Sequence, residues 1–163
     1  MKKKNFKKGI MLAEILIATF IFSVILGVLI TINNLYVTSV SSSLKSIKAV
    51  YLAEEGMEAV RIIRDTNFEN FKELTNGENY YLYFSNSASS TWEATTSVSY
   101  KNTSGIDRWF VLGSVRRSYG KITEGDGELD ENTRKLTVYV SWNDRDKTNE
   151  KTLFTYLTKN ILE

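Results

Sequence analysis

The segment from Ile10 to Ile32 is apolar along its whole length apart from scattered small polar residues and Glu14, its one charged residue. A helix of these 23 residues would be roughly 34 Å long at about 1.5 Å per residue. That length exceeds the hydrocarbon core of a bilayer, which is about 30 Å thick. The pattern therefore predicts a membrane-length helix near the N-terminus, with a carboxylate near its start.

A helical pattern continues beyond this apolar run. Apolar residues recur every three or four positions and would form a stripe along the helix: Val37, Val40, Leu44, Ile47 and Tyr51. A second set continues on a shifted seam: Val50, Met57, Val60 and Ile63. We predict one helix from about Ile10 to about Arg64, roughly 80 Å long. Asp65-Thr66-Asn67 would end it, residues 38–43 are where it could break, and Gly56 would allow close packing.

From Asn67 onward the pattern is typical of strands. Predicted strands cover residues 78–85, 92–100, 106–118, 134–142 and 151–159, with polar turns at 86–90, 124–128 and 143–146. The clearest strand has an apolar face of Leu136, Val138, Val140 and Trp142, and the last strand has Leu153 and Leu157 inward. Short turns between the last strands imply antiparallel pairing. The predicted fold class is α+β, with the second half of the long helix packed on an antiparallel sheet.

Composition narrows the possible chemistry. The chain has 163 residues and contains no cysteine, histidine or proline. This excludes disulfides, thiolate nucleophiles, the usual zinc ligands and the commonest general base. The remaining residue types form no recognisable catalytic set, so we expect a protein that is not an enzyme and uses no cofactor.

Basic residues are concentrated at the N-terminus. Five of the 21 precede Gly9, namely Lys2, Lys3, Lys4, Lys7 and Lys8. Without the first nine residues, 16 basic side chains face 19 acidic ones, a balance of −3. The remainder is therefore unlike a nucleic-acid-binding surface. Lysines before an apolar span also predict a cytoplasmic N-terminus, with the bulk of the chain outside.

Three kinds of segment combine lysines with an apolar run: a secretory signal peptide, a membrane anchor and a prepilin leader. A signal peptide fits poorly, because the run is long and Thr31–Tyr36 follows it instead of a small-residue cleavage site. Glu14 is the discriminating residue, since a charge well inside a membrane helix costs about 2.5–3.5 kcal/mol on insertion scales. Its carboxylate could snorkel to the headgroups, or it could pair with a buried positive charge on another subunit.

The sequence Gly9-Ile10-Met11-Leu12-Ala13-Glu14 resembles the class III prepilin signal of type IV pilins and type II secretion pseudopilins. In that family the chain is cut after the glycine, the new first residue is N-methylated, and nearly all subunits have glutamate at mature position five. The resemblance implies cleavage between Gly9 and Ile10 by a prepilin peptidase and methylation of Ile10. It gives Glu14 a role in assembly and register. The family usually has phenylalanine at the position of Ile10.

Two further stretches carry a weaker resemblance. Ala53–Asp65 is similar to the second half of the long helix in PilV-like minor pilins, and Lys135–Trp142 with Thr155–Thr158 is similar to their heads. The resemblance implies a pilin-like lollipop. Its parts would be a cleaved cytoplasmic leader at 1–9, a transmembrane and filament-core helix at 10–32, an amphipathic continuation at 33–65 and a β-rich head at 66–163.

We therefore expect a minor pilin or pseudopilin of a type IV pilus, competence or type II secretion system. Its implied partners are the prepilin peptidase, other pilin or pseudopilin subunits, the inner-membrane assembly platform and, before assembly, membrane lipid. Nucleic acid is not an expected partner. The protein would begin as a single-pass membrane protein and end in a cell-surface or periplasmic filament. The alternative is an unprocessed membrane anchor that displays a β-rich binding domain.

Four features of the head are candidates for a further site. An acidic loop offers weak candidates for a calcium site, without EF-hand spacing: Asp126, Glu128 and Asp130. A group that could touch DNA, or be a strand-end charge cluster, comprises Arg116, Arg117, Tyr119 and Lys121. Aromatic side chains that could form a sugar-binding platform, or pack on the sheet, are Tyr80, Tyr81, Tyr83 and Trp92. The glycosylation sequon is matched by Asn102-Thr103-Ser104.

Overall fold

The structure is a computed structural model that describes residues 5–85, 90–103, 105–145 and 147–159. It contains two compact units, an N-terminal unit of Met1–Leu44 and a C-terminal unit of Lys45–Glu163. One long helix followed by antiparallel sheets makes the fold α+β, as the sequence predicted.

Helix α1 spans Asn5–Thr66 without interruption. The prediction of one continuous helix is confirmed, although it begins five residues earlier than Ile10. The helix does not break at residues 38–43. Thr38 shows one reason, because its Oγ1 donates to the Asn34 carbonyl oxygen at 2.8 Å and so is satisfied within the helix.

The prediction that the strand pattern begins at Asn67 is wrong, because a second helix, α2, spans Phe68–Glu73. Asn67 is its N-cap, and its side chain accepts a hydrogen bond from the Asn70 amide at 3.1 Å. Phe71 anchors this short helix in the core, where it is wholly buried. The same Asn67 that ends α1 thus starts α2.

Among the described residues, seven strands follow α2. In chain order they are β1 (Tyr81–Phe84), β2 (Trp92–Thr95), β3 (Asn102–Thr103), β4 (Ile106–Ser118), β5 (Lys121–Thr123), β6 (Glu128–Asp144) and β7 (Lys147–Thr158). Strand β4 has the predicted bounds. The predicted strand at 92–100 is wrong in its second half, where a 3₁₀ turn lies at Val98–Tyr100. Most of the predicted turn at 86–90 lies outside the described residues.

Strands β1 and β2 form a two-stranded antiparallel sheet. The main sheet is also antiparallel, with the order β3-β4-β6-β7 and with β5 paired to β4. The edge of β4 opposite β6 is covered at intervals by β3, by Tyr80 and by β5. Tyr80 and Phe110 exchange two backbone hydrogen bonds of 2.9 Å there. The covered edge of β4 therefore presents few free backbone groups.

The main sheet differs from the predicted regular strands in two places, one in the pairing of β4 with β6 and one in the turn between β6 and β7. Ser114 pairs with Arg134 but Val115 pairs with Asp130, so the register shifts between them, and Val115 is buried out of step with the alternation of the buried residues before it in β4. Strands β6 and β7 pair as far as Asp144 with Lys147. The predicted turn at 143–146 is therefore too long, and its last residue, Asp146, lies outside the described residues.

The core of the C-terminal unit lies between residues 45–66 of α1 and one face of the main sheet. The sheet contributes the predicted apolar face of β6, which is confirmed: Leu136, Val138, Val140 and Trp142 are all buried. Leu157 is buried and Leu153 packs against the same core, also as predicted.

The centre of the α1 face that is buried in this core consists mainly of small residues, and Met57 and Ile63 from the predicted second apolar set pack against the same core. Ala49, Ala53, Gly56 and Val60 share one side of the helix and are buried. The more apolar stripe is exposed, from 38% at Val40 to 67% at Tyr51. Small side chains face the sheet in place of the large apolar ones because they let the helix backbone approach the sheet closely.

Candidate functional site

The N-terminal unit presents an apolar helical surface with no protein cover. Every residue from 10 to 37 is exposed, and the large apolar side chains between Ile10 and Ile32 range from 43% exposed at Leu26 to 69% at Phe20. Within the described part of the chain, this one helix is long and apolar enough to cross a membrane. Such a surface is compatible with surroundings of lipid or of other apolar helices.

Hydroxyl groups in this helix do not oppose transfer into an apolar medium. Thr19 Oγ1 donates to the Ile15 carbonyl oxygen at 3.0 Å, Ser23 Oγ to Thr19 at 2.8 Å and Thr31 Oγ1 to Gly27 at 2.9 Å. Each polar hydrogen is therefore satisfied within the helix, as a membrane or a helix bundle requires. The same residues, with Gly27, follow a four-residue spacing that places them along one side of α1.

Glu14 differs from these residues. Its side chain is exposed, and no cation among the residues whose side chains the structure describes forms an ion pair with it. Glu14 lies one helical turn after Ile10, so both residues occupy the same side of α1. The Gly9–Ile10 peptide bond lies within α1, which begins at Asn5. Gly9, Ile10 and Glu14 therefore all lie near the N-terminal end of α1.

The three carboxylates considered as candidate calcium ligands, Asp126, Glu128 and Asp130, do not converge. Within the described residues, no group of three acidic side chains could hold a metal ion. Asp130 is engaged elsewhere, since its Oδ2 accepts from Arg117 Nε at 2.5 Å and its Oδ1 from the Asn132 amide at 3.0 Å. The hydrogen bond from Arg117 holds the pKa of Asp130 below its ordinary value.

The basic group proposed as a DNA contact instead stabilises the protein's own turns. Arg116 Nη1 donates to the Gly127 carbonyl oxygen at 2.9 Å, and Arg117 Nη1 donates to that of Gly120 at 3.0 Å. Both guanidinium groups also border the β4–β5 hairpin, where Tyr119 is wholly exposed with φ of +50°. The geometry favours the strand-end cluster over a nucleic-acid surface.

Of the two interpretations of the aromatic side chains near β1, the structure favours packing on the sheets over a sugar-binding platform. Tyr80 and Tyr81 are buried, and Tyr80 stacks on Phe110 with ring centroids 5.4 Å apart. Tyr83 stacks on Tyr100 at 4.6 Å. The Tyr83 hydroxyl donates to Glu93, which raises the pKa of Tyr83. Trp92 is half-buried and meets Phe84 edge-on at 5.6 Å. The contacts of Tyr83 and Trp92 thus pack the small sheet, and Tyr80 packs against the main one.

A different set of aromatic residues lies on the exposed face of the main sheet. It comprises Trp109, Tyr139, Phe154 and Tyr156, none of which is fully buried. Alternation alone could have revealed it, because these residues occupy the opposite phase from the buried residues of β4, β6 and β7. In the sequence, the denser aromatic cluster near Tyr81 is the more conspicuous signal. For the sequon, Asn102 and Thr103 form β3, and Ser104 lies outside the described residues.

A comparison with protein-family models, curated proteins and solved structures gives no match to this chain. The uncovered apolar helix and the carboxylate at its start are therefore the features of the chain that bear most directly on its function.

Proposed function

We propose that this protein is a prepilin-like structural subunit, a minor pilin or pseudopilin that polymerises through its N-terminal helix. The observation that carries the proposal is an apolar helical surface from Ile10 to Ile32, exposed on all sides, whose one carboxylate, Glu14, forms no ion pair with any side chain that the structure describes. Lipid would cover this surface before assembly, and equivalent helices would cover it in a filament. Gly9 and the lysines before it complete the order of features expected of the leader.

Glu14 supports assembly over simple anchoring. Cleavage after Gly9 would create an amine on Ile10, and a buried amine needs a negative partner. Glu14 of a neighbouring subunit would supply it, and only one axial stagger would bring the two groups together. The pair would thus act mainly on register, because buried ion pairs add little net stability when their desolvation is counted.

The second candidate function is an unprocessed anchor that holds the β-rich head at a membrane. The same uncovered helix supports this candidate, since a single span needs only lipid around it. The candidates differ in their dependence on Gly9. An anchor functions with its leader intact, whereas a pilin-like subunit requires the leader to be removed.

Intact mass spectrometry of the protein from its native membranes tests the proposal. We expect a chain that begins at Ile10 and carries one additional methyl group. Substitution Gly9→Leu should leave the leader attached, while Gly27→Leu is the matched control and should be cleaved normally. Recovery of a native chain that begins at Met1, or one cut beyond residue 30, would refute processing at Gly9 and favour the anchor or the signal peptide.

A further inference from the structure

The face of the main sheet that points away from α1 has three successive rows across β4, β6 and β7. The register places Trp109, Tyr139 and Thr152 in the first row. Val111, Thr137 and Phe154 form the second, and Gly113, Lys135 and Tyr156 form the third. We call the four rings in these rows, Trp109, Tyr139, Phe154 and Tyr156, the outer aromatic face.

The rings of the outer aromatic face are arranged in two pairs. Trp109 and Tyr139 stack nearly parallel, with centroids 5.4 Å apart and planes 7° from each other. Phe154 and Tyr156 meet edge-to-face at 6.3 Å, and Phe154 is 61% exposed. From strand and residue spacings, the diagonal from Trp109 to Tyr156 is about 17 Å. The face is therefore long enough for several consecutive sugar rings.

The charges around these rings are balanced. Lys101 Nζ lies 2.9 Å from Asp107 Oδ2 and 5.8 Å from the centroid of the Trp109 ring. Lys135 Nζ lies 5.1 Å from the Phe154 centroid and 4.0 Å from Glu124 Oε1. Each lysine thus has a carboxylate nearby, and the face lacks the excess positive charge that single-stranded nucleic acid requires.

We propose that the outer aromatic face binds an uncharged polysaccharide. Aromatic rings have a negative π face, which attracts the polarised C–H groups on the flat side of a sugar ring. The hydroxyl groups of Thr137 and Thr152 lie between the rings and can exchange hydrogen bonds with sugar hydroxyls. Aromatic residues are also enriched at protein interfaces, so self-association through this face is one of the outcomes that the test distinguishes.

The test uses the full-length protein in detergent micelles with insoluble chitin and cellulose as probes. We expect depletion of the protein from solution by at least one of these polymers. Because one ring contact contributes modestly, Trp109→Ala and Phe154→Ala should each weaken binding by about threefold to tenfold. Trp109→Phe should retain most of the binding. Tyr119→Ala is the matched control, since it removes an equally accessible ring elsewhere and should leave binding unchanged.

Circular dichroism of each variant shows whether it folds. If Trp109→Ala does not fold, Phe154→Ala still tests the proposal. The proposal is overturned if neither polymer depletes the protein, or if folded Phe154→Ala binds as well as the parent. Salt-sensitive retention on single-stranded DNA alone would also overturn it, as would self-association through this face without polysaccharide binding. The proposal is independent of processing at Gly9, so its failure would leave the proposed function untouched.

Discussion

Gly56 of α1 faces Val138 of β6 so closely that a Cβ atom at position 56 would lie 3.1 Å from Val138 Cγ1. The same Cβ would be 3.4 Å from Arg108 Cδ and 3.7 Å from Leu82 Cδ1. Glycine in a helix interior has a conformational cost of roughly 0.5–1 kcal/mol relative to alanine. The close approach explains why glycine is nevertheless suited to this position, as the sequence predicted.

Gly56→Ala should therefore destabilise the C-terminal unit. Overpacking a well-packed core costs about 1–3 kcal/mol, which exceeds the gain in helix propensity. Val138 is completely buried and cannot move aside easily. We expect a net loss of about 1 kcal/mol, measured by urea unfolding followed by tryptophan fluorescence. Gly27→Ala is the control, because nothing lies within 4 Å of its Cβ position. An unchanged or higher unfolding free energy for Gly56→Ala would contradict this account.

Arg108 is a buried cation between α1 and the sheet, and Glu55 is its carboxylate partner. Arg108 is 5% exposed, and its Nη1 donates to Glu55 Oε2 at 2.8 Å and to the Leu52 carbonyl oxygen at 3.2 Å. Its guanidinium also lies 5.6 Å from the centroid of the Trp92 ring. The pair therefore connects the helix to both sheets.

We expect Glu55→Ala to lower the unfolding free energy by about 1–2 kcal/mol. This is less than the 3–5 kcal/mol for breaking a fully buried pair, because the Glu55 side chain is 48% exposed and water screens the charge that remains. Glu58→Ala is the matched control one turn later, since its pair with Arg61 is at the surface and should matter little. Urea unfolding measures both, and equal losses would contradict a special role for Arg108.

Local pattern was enough to predict some of the long elements, although β6 and β7 begin earlier than predicted, at Glu128 and Lys147. The bounds of β4 follow from its alternation of apolar and polar residues. The continuity of α1 follows from its helical spacing of apolar residues. Hydrophobicity alone does not predict the buried face of α1. Ala53 and Gly56 lie there because the short distance between helix and sheet leaves room only for small residues. Likewise, the register shift after Ser114 and the buried Arg108 depend on partners distant in sequence.

Asp130 should make stability depend on pH. Its pKa is lowered in the folded protein by Arg117, so the unfolded state, with an ordinary value near 3.8, binds the proton more readily. The stabilisation is therefore present above about pH 4 and is lost as pH falls through 3.8 and below. Thermal unfolding between pH 2.5 and 7 should show parent and Asp130→Asn converging at low pH. Glu124→Gln, at an exposed position, is the control. If the difference in melting temperature between the parent and Asp130→Asn stayed constant down to pH 2.5, the contribution of the Arg117–Asp130 pair would be refuted.

Glu14 provides the sharpest separation between cleavage and assembly under the proposed function. Glu14→Gln keeps the size of the side chain but removes its charge, so an amine on Ile10 of a neighbour would lack its partner. We expect normal removal of the leader, measured by mass spectrometry, together with a loss of at least about tenfold from the sheared filament fraction. Glu14→Asp retains the charge at a shorter reach and should assemble better than Glu14→Gln. Wild-type incorporation of Glu14→Gln would exclude charge pairing as the register device. Failure of cleavage in both variants would instead assign Glu14 to recognition by the peptidase.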